Sequence, residues 1–538
     1  MCRVPGVPNG RSSQLPNPSP HPRRYIQTED LSPVRRASVT MPESLLLCAA
    51  LSSTTIGGPS QVSLEVGPSQ DRVTINTLTD DALLKIFDLY VNHSNPGTNG
   101  WHTLVHVCHR WRSIVFASPG HLNLRIEYRG KRPLSEMLDV WPVLPVVIRN
   151  GSDLWYSWSW ENLVGALESE HRHRICKITL WNIPKSQWER LAAAMQKPFP
   201  ELTDLGLSAV ANTVTPLPDS FLGGSAPLLR ELRLGNCPFP KLPLSSNQLV
   251  VLYLFNVPDP GYISHQDLVT ALSVLSGLET LYIQFRYHRY PETRPPPPFR
   301  RSVLPALTNL YFHGVHKYLE DLLAQIEAPL LNKLDVTFFM NINFVLPQLH
   351  RFISQVESFN SCDRAIMRFS GPATRFTISS RTNQPTYLSL NIICSKLDRQ
   401  LPSLAQVRSS FFPLLSTLVR LDIMDDGFPQ LRYKDDMETT QWLELLAPFT
   451  AAKDLRLTRH MAPHVCRVLE ELAGERVTEV LPALQNIFLT GLEPMESASK
   501  YIERFVAERK LSGHPVAVPV HCWEQDLHGM DEFFVIPT

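Results

Sequence analysis

The sequence predicts an α/β chain: a short helical module near the N-terminus, then an irregular solenoid with parallel strands on one side and helices outside. Three observations carry this. A six-residue apolar motif recurs ten times between residues 175 and 489. Amphipathic stretches of helical period separate many of its copies, and alternation of strand with helix is the pattern of parallel pairing. Residues 75–124, by contrast, step their apolar positions by three and four, as helices do.

Composition bounds the class. The chain has 538 residues, 43% of them apolar, which suffices for a large core and makes two domains the expectation. Lys plus Arg and Asp plus Glu each total 51, so the formal net charge is zero. That balance lacks the basic footprint of a general nucleic-acid binder, and DNA and RNA are not expected ligands. Nine cysteines are scattered without any Cys-x-x-Cys pair, a usage that fits a reducing compartment. The longest apolar run near the N-terminus, residues 45–51, is far shorter than the roughly 20 residues of a membrane span and lies too deep for a signal peptide. A cytoplasmic or nuclear protein with no membrane segment is the expectation.

Residues 1–70 are rich in Pro, Ser and Arg and keep no sustained period, which predicts a disordered N-terminal region. Within it, Arg35-Arg36-Ala37-Ser38 has the form of a basophilic phosphorylation site, although matches this short are mostly chance.

Residues 71–124 form the helical module. Leu83, Ile86, Phe87 and Tyr90 make one apolar stripe on a helix whose N-cap is Thr79 or Asp80. Asn95-Pro96-Gly97 and Asn99-Gly100 break it. Trp101, Leu104, Val107, Cys108, Trp111, Ile114 and Val115 then repeat the spacing on a second helix, which ends before Ser118-Pro119-Gly120. Helices this short cannot bury both stripes among themselves, so the leftover apolar surface needs a neighbour. These residues resemble an F-box: Leu78 opens the motif, Ala82-Leu83-Leu84-x-Ile86-Phe87 lies on the first helix and Leu104-Val105-x-Val107-Cys108-x-x-Trp111-Arg112 on the second. The resemblance implies that Leu78, Ile86, Phe87, Leu104, Val107, Cys108 and Trp111 bind the small Skp-type adaptor of cullin-based ubiquitin ligases. The family usually has Pro after the first Leu and an acidic residue two further on, where this chain has Thr79 and Asp81. An ordinary helical hairpin packed only on its own chain is the alternative.

Residues 141–148 read as a buried strand and residues 161–174 as a helix ending in His171-Arg172-His173-Arg174. That His pair is better read as a solvated helix end than as a metal site, because an i,i+2 pair on a helix points to different faces. Trp155, Trp158 and Trp160 alternate with serines and are expected to pack rather than to stack on a ligand.

The recurring motif is ICKITL (175–180), LTDLGL (202–207), LRELRL (229–234), LVVLYL (249–254), LETLYI (278–283), LTNLYF (307–312) and LNKLDV (331–336), then LVRLDI (418–423), AKDLRL (452–457) and LQNIFL (484–489). Its central residues Leu205, Leu232, Leu252, Leu281, Leu310 and Leu334 are 27, 20, 29, 29 and 24 residues apart. Those periods fit a leucine-rich repeat, in which each unit gives one short parallel strand and must stack on its neighbours to complete a core. Helices are predicted between strands at 186–197, 266–276, 317–327, 347–359, 440–446 and 465–472. Residues 360–413 offer only 375–378 and 386–390 as candidate strands. The array is expected to span 125–510, with 511–538 a cap or tail.

No phosphate-cradling loop, zinc-peptidase helix or hydrolase elbow motif occurs, so an enzyme is not expected, nor a cofactor or metal. The paired acids Asp80-Asp81, Asp425-Asp426 and Asp435-Asp436 read as a helix N-terminus and two solvated loops. Prolines 295–298 read as an insertion at a repeat edge rather than an SH3 ligand. Strand alternation turns the residue between the last two apolar motif positions away from the core, onto the face that is concave in leucine-rich repeats. Tyr253, Tyr282 and Tyr311 fall there on successive strands, with Gln284 and His313 in the next column. Such a row is expected to be exposed aromatic surface that binds a protein substrate, with simple cross-strand stacking as the alternative. Together the two regions resemble the large set of fungal F-box proteins with divergent repeats. That resemblance implies a substrate receptor of a Skp–cullin–F-box ubiquitin ligase or, in the alternative, an adaptor-binding scaffold outside a ligase.

Overall fold

In the computed structural model, described for residues 75–93, 100–139, 141–150, 159–210, 216–239, 247–258, 265–286, 301–339, 345–371, 373–380, 386–394, 397–407, 414–426, 439–458, 460–472, 476–490 and 496–519, the first helix is α1 (Asp80–His93). Of its two candidate caps Thr79 is the one used: its Oγ1 accepts the amide of Ala82 at 3.3 Å. The predicted second helix is two, α2 (Gly100–Val105) and α3 (His109–Ala117), separated by extended backbone at Cys108. The break lets Leu104 and Val105 share one core with Ile114 and Val115, and Arg112 Nε reaches back to the Val105 carbonyl at 2.9 Å. Arg110 ties α3 to the start of α1, donating to Asp80 Oδ1 at 2.7 Å and to the Leu78 carbonyl at 2.6 Å.

The array begins with β1 (Ile126–Tyr128), α4 (Leu134–Leu138), β2 (Val146–Arg149) and α5 (Trp160–Glu168). The last is shorter than its periodicity predicts, because Ser169 turns extended and Glu170–Arg174 becomes a 3-10 turn. Every copy of the motif then forms a strand. They are β3 (Ile175–Ile183), followed by α6 (Lys185–Ala194), then β4 (Asp204–Ala209), β5 (Glu231–Gly235) and β6 (Val251–Val257). Next come α7 (His265–Leu272), β7 (Thr280–Phe285), a short β8 (Ser302–Val303), β9 (Asn309–Gly314), α8 (His316–Leu323), β10 (Ile326–Glu327) and β11 (Lys333–Phe339). After α9 (Pro347–Ser354) come β12 (Arg364–Phe369), β13 (Ala373–Ser379), β14 (Tyr387–Ile393) and α10 (Leu397–Val407). The chain closes with β15 (Arg420–Asp425), α11 (Thr439–Leu446), β16 (Asp454–Thr458), α12 (Ala462–Glu471), β17 (Asn486–Thr490) and α13 (Glu496–Leu511).

All these strands except β8 and β10 lie in one sheet, in the order β1-β2-β3-β4-β5-β6-β7-β9-β11-β14-β13-β12-β15-β16-β17. The seams repeat as the sequence does. The carbonyl of Thr203 accepts the amides of Arg230 and Glu231, and Arg230, Val250, Glu279 and Thr308 each take two consecutive amides of the next repeat in the same way. The central leucines Leu205, Leu232, Leu252, Leu281, Leu310 and Leu334 are at most 1% exposed, so they are the spine of the core. Behind the sheet, helices pack pairwise along the array. Glu320 of α8 links two of them: its carboxylate accepts the amides of Gln348 (2.8 Å) and Leu349 (2.9 Å) at the start of α9.

Residues 360–413 hold a reversal that the motif does not announce. The chain leaves β11 and lays β12 three strand positions away, then returns through antiparallel β13 to β14, which fills the place beside β11. Both β14 with β11 and β12 with β15 are parallel, so the array continues on either side. Within this stretch the strand absent from the sequence prediction is β12, headed by Cys362 where other copies carry leucine, isoleucine or alanine. At the far end α13, also unforeseen, buries Arg509 against the last repeat, where it donates to the carbonyls of Val477, Leu481, Pro482 and Leu484 at 3.1–3.3 Å. Ala517 then adds a parallel bridge to Asn486.

The chain divides into two units, Met1–Thr77 and Leu78–Thr538, and of the first a 3-10 turn at Ile75–Thr77 is described. Residues 1–70 otherwise lie outside the described residues, as do Ser38, Trp155, Trp158, prolines 295–298, Asp435-Asp436 and the acidic stretch 526–532.

Candidate functional site

The strand register brings the five predicted face residues together. Tyr253 pairs with Tyr282 and Tyr282 with Tyr311, while Gln284 pairs with His313. The rings of Tyr253 and Tyr282 stack with centroids 5.2 Å apart at 25°, and Tyr282 to Tyr311 is 6.0 Å at 39°. His313 lies 5.5 Å from the Tyr282 ring, and the Tyr282 hydroxyl donates to Gln284 Oε1 at 3.1 Å. The row is not the exposed surface that alternation predicts. Tyr282 is 8% exposed and its two neighbours are half-buried, because rings on adjacent strands about 4.8 Å apart lean on one another and cover the middle member.

The same column continues past the tyrosines. Tyr311 pairs with Asp335 and Asp335 with Ser389, and the Tyr311 hydroxyl bonds that of Tyr387 on β14. At one end of the row the Arg233 guanidinium sits over the Tyr253 ring at 5.0 Å, and at the other Lys333 Nζ is 5.9 Å from the Tyr387 ring. Beyond Arg233, Trp181 and Phe255 meet at 5.7 Å across Gly235, where a Cβ would strike the Phe255 ring. Burial sets the protonation of this face. It pushes the Asp335 carboxyl up to about 6, against the pull of Arg375, and the Tyr282 phenol up to about 12. The same burial, with Arg375 adding to it, pushes His313 down to about 4, so its imidazole is neutral at pH 7. Asp335 occupies in LNKLDV the position the tyrosines hold in their own copies, so the motif could have singled it out. Tyr387 had no such signal, since only the reversal brings β14 alongside.

On β12 to β17 the face is an ionic lattice. Arg364 Nε donates to Asp422 Oδ2 at 2.8 Å with both side chains buried, Arg420 lies 3.6 Å from Asp454, and Asn486 donates to Asp454 at 2.9 Å. Asp425 is not the solvated loop residue its sequence context suggests. It ends β15 with a buried side chain, holding the Thr458 hydroxyl and His460 Nδ1 (2.8 Å), because the end of the parallel neighbouring strand β16 lies beside it.

The helical motif residues divide into two sets. Phe87 and Leu104 are buried, Leu78 and Trp111 are half-buried, and the Phe87 and Trp111 rings meet at 4.7 Å. Ile86 and Val107 are 45% and 55% exposed, and Cys108 is exposed. The stripe on α1 is therefore two: Leu83 and Phe87 face the core, while Ile86, Leu89 and Tyr90, at i, i+3 and i+4, face out. Leu89 was not among the predicted residues, and only its exposure singles it out.

Elsewhere, His173 Nδ1 lies 2.6 Å from the Glu170 carbonyl oxygen, and Trp160 opens α5 against the core. Among the described residues no three His, Cys, Asp or Glu side chains converge on a possible metal site, and no helix is long and apolar enough to cross a membrane.

No protein-family model matches this chain, and no curated protein matches it either. Among solved structures, the leucine-rich repeat-containing protein LegL7 from Legionella pneumophila aligns over 73% of this chain and 99% of its own, at 14% identity and a TM-score of 0.24. That similarity is too slight to argue from, and the assignment of an irregular repeat solenoid rests on the strand order and seams above.

Proposed function

We propose that this chain is the substrate-recognition subunit of a Skp–cullin–F-box ubiquitin ligase: α1 to α3 dock a Skp-type adaptor, which brings the cullin, and the open sheet face captures a protein substrate. The observation that carries the reading is the division of the motif residues. Phe87, Leu104 and Trp111 pack into the core the three helices share, while Ile86, Val107 and Cys108 stay at the surface, as do Leu89 and Tyr90. Apolar side chains left uncovered at the motif's own positions suit a helical adaptor face. Thr79, in the place of the family's proline, caps α1 through its hydroxyl, so the helix start is kept without proline.

The test is coelution of the full chain with a Skp-type adaptor. Ile86→Asp with Val107→Asp is expected to abolish the complex, a loss on the order of 2–4 kcal/mol, while the melting temperature changes little because both side chains lie at the surface, 45% and 55% exposed. Undiminished adaptor binding by this double variant sinks the assignment. Adaptor binding without recruitment of a cullin would leave a scaffold and refute the ligase role.

A further inference from the structure

Charge is unevenly placed along the tyrosine row. Its two ends already hold cations of this chain, Arg233 over Tyr253 and Lys333 near Tyr387. Next to Tyr311, on the same strand as Lys333, the row ends in an acid. Asp335 pairs in register with Tyr311, whose ring meets that of Tyr282 and whose hydroxyl bonds that of Tyr387, so the acid shares one column of the face with phenols from three strands. Among the described residues no hydrogen bond or ion pair reaches that carboxylate. Arg375 on β13, two strands away, acts on it through space, and the neighbouring His313 carries no charge at pH 7. Asp335 is half-buried, so it is desolvated and still reachable from the open face.

We infer that the Asp335 carboxylate, with the phenols of Tyr282, Tyr311 and Tyr387, receives a cationic side chain, a lysine or an arginine, presented by the captured protein. The inference rests on the reading of this face as the substrate surface, not on the ligase role. A cation at this point gives the carboxylate the hydrogen-bonded ion pair that Arg375, two strands away, does not, in surroundings where the attraction is weakly screened. The phenol oxygens accept its N–H groups, and the ring faces attract it as they attract Arg233. A neutral side chain would cover the carboxylate without compensating it, and an acidic one would be repelled, so the site selects by charge. Arg375 and Lys333 set an upper limit, since a second incoming cation would meet them.

The experiment uses the full chain carrying 3-fluorotyrosine, with the resonances of residues 282 and 311 assigned by Tyr→Phe replacement. The probes are three blocked tripeptides, acetyl-Gly-Arg-Gly-amide and its lysine and citrulline counterparts. The arginine or the lysine peptide is expected to shift both resonances saturably, and the stronger of the two identifies the side chain. Citrulline, close in shape to arginine but neutral, should leave them in place. In Asp335→Asn, whose folding is checked by its thermal melt, cation affinity should fall at least about tenfold with adaptor coelution unchanged. Equal shifts from citrulline and arginine, no saturable shift from either cation, or wild-type affinity in Asp335→Asn would overturn the inference. Cation binding by a chain that fails to coelute with the adaptor would refute the ligase reading and leave this site standing.

Discussion

Asp335 and His313 are neighbouring-strand residues whose folded-state titrations run in opposite directions. Burial raises the Asp335 carboxyl from 3.8 to about 6, so between those values the folded chain holds a proton that the unfolded chain has released. This group therefore makes stability fall as pH rises through that window, and its cost is fully present above about 6. Asp335→Asn should accordingly stabilise the protein at pH 7.5 by roughly 1–3 kcal/mol, with the gain fading to nothing near pH 4. Urea unfolding of both proteins at pH 4, 6 and 7.5 checks it, and an equal gain at all three would show that charge is not the cause. His313, lowered from 6.5 to about 4, contributes stability that is complete above 6.5 and lost as pH falls toward 4. The two slopes oppose each other, which is why the difference between variant and wild type is the informative quantity. At this scale the sequence placed the tyrosines correctly in register, since the motif position dictates which way a strand residue points. It misjudged their exposure, because exposure depends on the rings of the adjacent strands.

Elements are joined by contacts that cross from one repeat to the next. Glu320 on α8 is 7% exposed and accepts two amides at the N-terminus of α9, a position where both the free N–H groups and the helix dipole favour an anion. Glu320→Ala leaves those amides buried without an acceptor and should cost about 2 kcal/mol. Glu320→Gln, which keeps one acceptor oxygen, should cost less. Chemical unfolding of both variants measures the ordering, and a Gln variant as unstable as the Ala variant would point to lost packing rather than lost capping. The periods of the sequence predicted α8 and α9 but not this link, since a glutamate 28 residues before the amide it caps leaves no local pattern. The break between α2 and α3 escaped for a related reason: Val107 and Cys108 continue a helical spacing, and it is the shared core of Leu104 and Ile114 that bends the chain there.

Across the whole molecule, a stack of repeats is stable only if its last unit is closed. Here α13 closes it through a fully buried Arg509 bonded to four carbonyls of the final repeat, followed by the Ala517 bridge to Asn486. Deleting residues 496–538 should lower the melting temperature and speed amide exchange most in β17 and β16, progressively less toward β3. Uniform acceleration along the array would indicate a single cooperative block instead. The sequence by itself determined the strand spine, because leucine at fixed steps has no soluble alternative to stacking into a common core, and it determined which residues form the face opposite that core. Only the tertiary structure decided that β14 rather than β12 follows β11, that Asp335 and Tyr387 meet the tyrosine row, and that Ile86 and Val107 remain uncovered. Each of these depends on contacts between residues far apart in the chain, and a periodic local pattern specifies which face a residue takes but not which neighbour it meets there.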